Sequence, residues 1–271
     1  MDLLKIVSRR SFLSEIVYMA LNVALAIGLL LIIRSTGSLL PAFGLVLLSK
    51  WRVLAVRPRY WFANIQANLV DFIVSISMVV FLFTVSQADV GDGQKLAVQV
   101  ILVALYIGWL LFLKPKSKRI YIVAQSGIAL FVGVSAIFMS SYSWIATPVV
   151  LLMWLVGYAT ARHILSNYDE GHTLLVSLVW GLALAEIGWL AYHWTVAYPL
   201  PIVNELMLPQ ISIIVLCFGF LAYKSYDSYV RNDKIQVNDI ILPLLFTISM
   251  CLVLLIVLPL MRCGSISCVL F

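Results

Sequence analysis

Long apolar runs separated by short polar connections make up almost the whole chain. The runs cover approximately 16–33, 37–56, 65–86, 96–113, 120–139, 144–161, 173–196, 206–223 and 239–260. A helix needs about 20 apolar residues to cross the hydrocarbon core of a bilayer. The pattern therefore predicts an all-α polytopic transmembrane bundle of about nine helices, forming a single integral membrane domain over 1–271. The longest connection is the polar stretch from Lys224 to Asn238, and no soluble domain fits between the runs. The first run, Ile16–Ile33, is longer than the apolar stretch of a signal peptide and no small-residue cleavage site follows it, so it is expected to be a retained helix.

The second run is the exception. Its apolar heart, Leu39 to Leu48, contains Pro41 and reaches full length only if Lys50 and Arg52 extend to the headgroups. It either crosses, or it is a re-entrant segment that leaves eight crossing helices.

Composition agrees with a lipid solvent. Of 271 residues, 63% are hydrophobic and 11% charged; soluble domains average about 45–50% and about 25%. The net charge of +6 falls in short runs between apolar spans, the pattern of topology signals and not of a nucleic-acid surface. With nine helices and a cytoplasmic N-terminus, fifteen of the eighteen lysines and arginines fall on the inside. If the second run does not cross, thirteen do. The first alternative obeys the positive-inside rule better. Both alternatives put the loops at 114–119, 162–172 and 224–238 in the cytoplasm and the C-terminus outside. Trp51, Tyr60, Trp61, Tyr142, Trp144, Tyr192, Trp194 and Tyr198 cluster near expected helix ends, where amphipathic rings prefer to sit. Trp154, Trp180 and Trp189 lie deeper and are expected to pack between helices.

Ionisable groups inside the apolar runs are the candidates for chemistry, because each is costly there without a partner or water. Asn64, Asn68, Asp71 and Ser75 recur on one helical face of the third run. They either line a solute or proton path, or Asp71 pairs with an arginine of the preceding loop while the asparagines bond neighbouring helices. The second alternative has the edge, since Asp71 is within about two turns of the cytoplasmic end. In the seventh run Glu186 is the deepest acid, roughly 20 Å from the cytoplasmic start, and His193 follows at i+7. Gly181 and Gly188 would let another helix approach closely. Glu186 reads as a protonatable coupling site with His193 as relay, or as a neutral acid hydrogen-bonded inside the bundle.

Other features carry less. His163, Asp169, Glu170 and His172 match no strong metal spacing, so an ordinary polar turn is expected and no metal or cofactor. Thr147-Pro148 and Pro209-Gln210 are candidate helix breaks, and Pro243 lies within a run. Cys263 and Cys268 flank Gly-Ser-Ile-Ser near the C-terminus; a disulfide across that turn and two free thiols are the alternatives. Lys50 to Pro58 reads K-x6-R-P, similar to the first signature of membrane phosphatidate phosphatases, but the later P-S-G-H and S-R…H elements are absent. With no Walker A, HExxH or GxSxG either, an enzyme is not expected.

Trp51-Arg-Val-Leu-Ala-Val-Arg-Pro-Arg-Tyr-Trp61 and Glu186-Ile-Gly-Trp-Leu-Ala-Tyr-His-Trp194 resemble segments of polytopic membrane proteins of candidate-phylum (Saccharibacteria-like) bacteria. That resemblance brings no activity and implies a bacterial inner-membrane address. Two functions remain in view. One is a small transporter or permease-like carrier of a small-molecule solute, with its polar path through Asp71 and Glu186. The other is a non-catalytic membrane subunit that anchors or assembles an envelope complex. The expected partners are the lipid bilayer, a solute or other membrane subunits, and no nucleic acid.

Overall fold

The structure is a computed structural model describing residues 2–55, 57–141, 143–168, 172–194, 197–199 and 207–257. It is an all-α bundle. Its helices are α1 (Asp2–Thr36), α2 (Leu39–Ser49), α3 (Trp51–Leu54), α4 (Trp61–Gln87), α5 (Asp92–Gly108), α6 (Arg119–Ser140), α7 (Ala146–Leu165), α8 (Thr173–Trp194), α9 (Gln210–Asn232) and α10 (Val237–Leu252). Single π turns extend α5 through Trp109–Leu113 and α10 through Val253–Val257. The only sheet among the described residues is a short antiparallel hairpin, β1 (Ala197–Pro199) with β2 (Met207–Pro209), between α8 and α9. Among the described residues eight helices are long and apolar enough to cross a membrane, and the chain is a multi-pass membrane protein.

The outer surface is apolar: Leu40, Phe62, Ile145 and Leu242 are each more than 70% exposed. In water that surface would be prohibitive; in lipid it is the expected exterior. The interior is a continuous core in which α4 and α6 are the most enclosed helices, with Val79, Leu82, Val134, Val149 and Met153 fully buried or nearly so. Small residues set the closest approach. A Cβ on Gly157 would lie 2.8 Å from Leu184 Cδ1 and 3.1 Å from the Gly181 Cα, and one on Gly188 would lie 2.6 Å from Met153 Cγ. Glycine at these positions lets α7 and α8 touch almost backbone to backbone, so Gly181 and Gly188 act as their spacing predicts.

Contacts at the ends of the apolar spans trace the path of the second run. Near the start of the apolar part of α1, Ser14–Thr36, Tyr18 lies within electrostatic reach of Lys114 at the end of the α5 π turn. At the other end of α1, Arg34 donates to Gln99 Oε1 (3.2 Å), and Gln99 donates to the Leu82 carbonyl (3.2 Å) late in α4. The chain thus leaves α1 at the end opposite to the one where α4 begins. α2 and α3 carry it back, and the Val53 carbonyl accepts from Asn64 in the first turn of α4 (3.4 Å). The run therefore passes from one end of the bundle to the other, and it is broken. α2 spans only about 16 Å, and the helix is interrupted at Lys50 before α3. The end that carries 114–119, 162–168 and 224–236 is called the basic end below.

Three expectations are corrected. α9 continues to Asn232 instead of ending near residue 223, because Asp227 and Ser228 in the polar stretch are buried and bonded. Pro148 sits in the first turn of α7 and Pro209 precedes α9, so neither breaks a helix; Pro243 alone among the candidates lies inside one. A proline in the first turn removes no helical hydrogen bond. Trp189 does not pack between helices but faces outward, 53% exposed.

Candidate functional site

The face predicted on α4 leads to the most densely charged interior site. Asp71 lies about 15 Å into α4 and is buried. Its Oδ2 pairs with Lys50 Nζ, at the break between α2 and α3, and with Lys114 Nζ at 2.8 Å. Its Oδ1 faces the Trp109 indole N–H at 3.5 Å. One turn on, Ser75 donates to the Asp71 carbonyl (2.7 Å), and Tyr106 donates to the Ser75 hydroxyl (2.9 Å). The partners of Asp71 are thus two lysines and not an arginine of the preceding loop. Asn64 bonds α3, and Asn68 bonds back to the Asn64 carbonyl (2.8 Å) within α4, so only Asn64 ties neighbouring helices as expected.

The position of both lysines follows from local irregularity. Lys50 ends α2 and turns into the bundle because the chain is non-helical there. The π turn at Trp109–Leu113 adds one residue to the last turn of α5, with Lys114 N–H bonding the Trp109 carbonyl (2.9 Å). Single π turns recur at functional sites. Gln125 holds the following turn by donating to the Leu113 and Lys116 carbonyls (2.6 and 2.9 Å), and its Oε1 faces His163 Nε2 at 2.8 Å.

The cluster sets two ammonium groups against one carboxylate. Burial opposes the charge on Lys114, at the end of the α5 span, but the Asp71 carboxylate outweighs it and holds that amine above its usual range. With both lysines protonated the cluster carries one positive charge in excess.

No protein-family model, curated protein or solved structure matches this chain. Function is therefore read from its own geometry.

Glu186 and Asp71 do not share a path. Glu186 is exposed on the outward face of α8, with no hydrogen bond or ion pair among the described residues. The buried face of α8 is Ser177, Gly181, Leu184, Ala185, Gly188 and Ala191, which packs toward α7. His193 is on the outer face with Glu186, but its ring sits edge-on to Trp189 and Tyr192 at 5.1 and 5.3 Å, and no bond joins it to Glu186. Sequence spacing placed the two on one face correctly; it could not say that the face points away from the bundle.

At the basic end a second cluster joins α6, α9 and the loop after α7. Asp227 accepts from Arg119, from Arg231 (2.8 Å) and from the Tyr168 hydroxyl (3.1 Å). Burial pushes the Tyr168 phenol up to about 12. This cluster was hidden in the sequence because its members come from three connections. His163 turns inward to Gln125 while His172 is exposed, and among the described residues no group of three metal-ligating side chains assembles. Asp169, Glu170, Cys263 and Cys268 lie outside the described residues.

Proposed function

We propose that the chain is a small carrier of the bacterial inner membrane whose working site is the Lys50–Asp71–Lys114 cluster. The observation that supports this reading is a buried charge set, with one positive charge in excess, at the point where a crossing segment breaks. Broken helices place binding groups at depth in carriers, and ionisable groups inside a membrane mark ion and solute pathways. The excess charge favours a small anionic solute. Asn64 and Asn68 lie between the cluster and the basic end. By the charge bias of the loops that end is cytoplasmic; an impermeant maleimide should label Gly91→Cys but not Ser117→Cys in intact cells. In this reading the chain performs no covalent chemistry and Glu186 stands off the path.

Flux in proteoliposomes tests the proposal. A panel of small anions is compared for the native protein, Asp71→Asn, Lys50→Gln and Glu186→Gln. The first two variants should lose transport and the third should keep it. Unchanged flux in Asp71→Asn and Lys50→Gln for every solute the native protein moves would remove the cluster from the mechanism.

The outward face of α8 favours a second reading, that of a non-catalytic membrane subunit. Leu175, Val179, Leu182, Glu186, Trp189 and His193 follow alternating steps of four and three, the seam of a helix that packs against another, and Leu175, Val179, Leu182 and Trp189 are each more than half exposed. A carboxyl group on that seam is costly against lipid and is satisfied by a partner helix. Disulfide trapping from Leu182→Cys in native membranes discriminates. A cross-linked second protein that disappears with Glu186→Leu supports the subunit; an uncross-linked chain leaves the carrier.

A further inference from the structure

We infer that the cleft between α8 and α9 is a binding site for one anionic phospholipid, with an acyl chain inside the bundle and the phosphate at the basic end. α8 packs on α7, α9 packs on α6, and α6 packs on α7, but there is no comparable packing between α8 and α9. The space left between them is a cavity of about 360 Å³, within the roughly 300–1,000 Å³ of small-molecule sites. Leu130, Ile164, Trp180, Leu216, Phe220 and Tyr223 line it. From Leu216 to Tyr226 it runs about 15 Å along α9, so it is long, apolar and open on one side toward the bilayer.

Two polar features give the cleft a direction. Ser126 lines its wall, is 2% exposed, and its Oγ has no hydrogen-bond partner among the described residues. An unsatisfied buried hydroxyl calls for an acceptor, which an ester carbonyl of a glycerolipid supplies. At the basic end of the cleft Lys224 places its ammonium 5.8 and 6.0 Å from the Phe220 and Tyr223 rings. Arg119 stands one turn before Val123, which lines the wall, and Arg231 and Arg119 share the single carboxylate of Asp227. Among these described side chains, Lys224, Arg119 and Arg231 outnumber the Asp227 carboxylate, which leaves positive charge for a lipid phosphate. A zwitterionic lipid brings the same phosphate with an ammonium group that these cations repel, and an uncharged lipid leaves them unused.

Native mass spectrometry of the full chain in mild detergent tests this, with phosphatidylglycerol and phosphatidylcholine of identical acyl chains. One phosphatidylglycerol should be retained in preference to phosphatidylcholine by about tenfold or more, since each nearby Lys or Arg adds about 1 kcal/mol. Lys224→Gln should cut phosphatidylglycerol retention about fivefold, and Lys224→Arg should preserve it. Gly127→Leu should cut retention of both lipids, because a Cβ there meets only Leu216 Cδ1 at 3.6 Å and a longer side chain grows into the cavity. If Gly127→Leu fails to fold, as judged by its thermal transition, Ala161→Leu on the α7 wall of the cleft takes its place. Equal retention of the two lipids, or retention indifferent to the filled cleft, would mean ordinary boundary lipid and overturn the inference. Neither outcome depends on the carrier reading, which the flux assay tests separately.

Discussion

Replacing Asp71 with asparagine keeps the shape of the side chain and removes its charge. Lys50 and Lys114 would then face each other in a buried site with no counter-charge; their side chains are 6% and 27% exposed. Removing one partner of a buried ion pair costs about 3–5 kcal/mol, because the remaining charge is left uncompensated. Lys50→Met is a different perturbation. It leaves Asp71 paired with Lys114 at 2.8 Å, turns a site with excess charge into a balanced one, and should cost no more than about 1 kcal/mol. Tryptophan-monitored thermal unfolding in detergent separates the two. At roughly 2–4 °C per kcal/mol for chains of this size, Asp71→Asn should lower Tm by about 6–20 °C and Lys50→Met by only a few degrees. The double variant should recover much of the loss, since the two sites share one interaction. An Asp71→Asn protein as stable as Lys50→Met would show that the carboxylate does not hold the two lysines, and the account of the cluster would fail.

The same cluster sets a pH dependence. Lys114 is raised above its ordinary 10.5, chiefly by the Asp71 carboxylate working against burial, so its stabilising contribution is complete below 10.5 and is lost as pH climbs through its elevated value; Tm of the native protein should fall as pH rises above about 10.5, and Lys114→Met should remove that part of the fall. Asp227→Asn should cost less than about 1 kcal/mol, although it has two arginine partners, because their side chains are 46% and 56% exposed and water and headgroups screen them; a Tm drop as large as that of Asp71→Asn would contradict this. Gly157→Val forces a side chain into Leu184 and the Gly181 backbone and should cost about 1–3 kcal/mol, whereas Gly108→Ala, with nothing within 4 Å of the added Cβ, should be neutral or stabilising in the same unfolding assay.

How much of this was legible beforehand depends on the range of the physics involved. Transfer into lipid is a sum over some twenty neighbouring residues, so the long apolar helices, their order and the exclusion of a soluble fold could be read directly from the chain. The charge bias of the loops is likewise local, and it favoured a crossing second run; the structure carries that run from one end of the bundle to the other. The need of Asp71 for a partner was also legible, because a lone carboxylate in an apolar run is costly wherever the run is placed. The identity of the partner was not. Lys50 read as a side chain reaching for headgroups, and Lys114 as one of a basic loop, because nothing local records that the helix breaks at one and that a π turn precedes the other.

Facing is the other quantity that only tertiary structure decided. In water the buried face of a helix is the apolar one, but in lipid both faces are apolar, so the sequence of α8 offers no moment to point it. Glu186, Trp189 and His193 therefore looked like interior groups, and the glycines that pull α7 onto the opposite side of α8 turned them outward. The Arg119–Asp227–Arg231 cluster and the cleft beside it were out of reach for the same reason. Both are made by helices far apart in the chain, and their meeting depends on which surfaces fit together once every segment is already in the membrane.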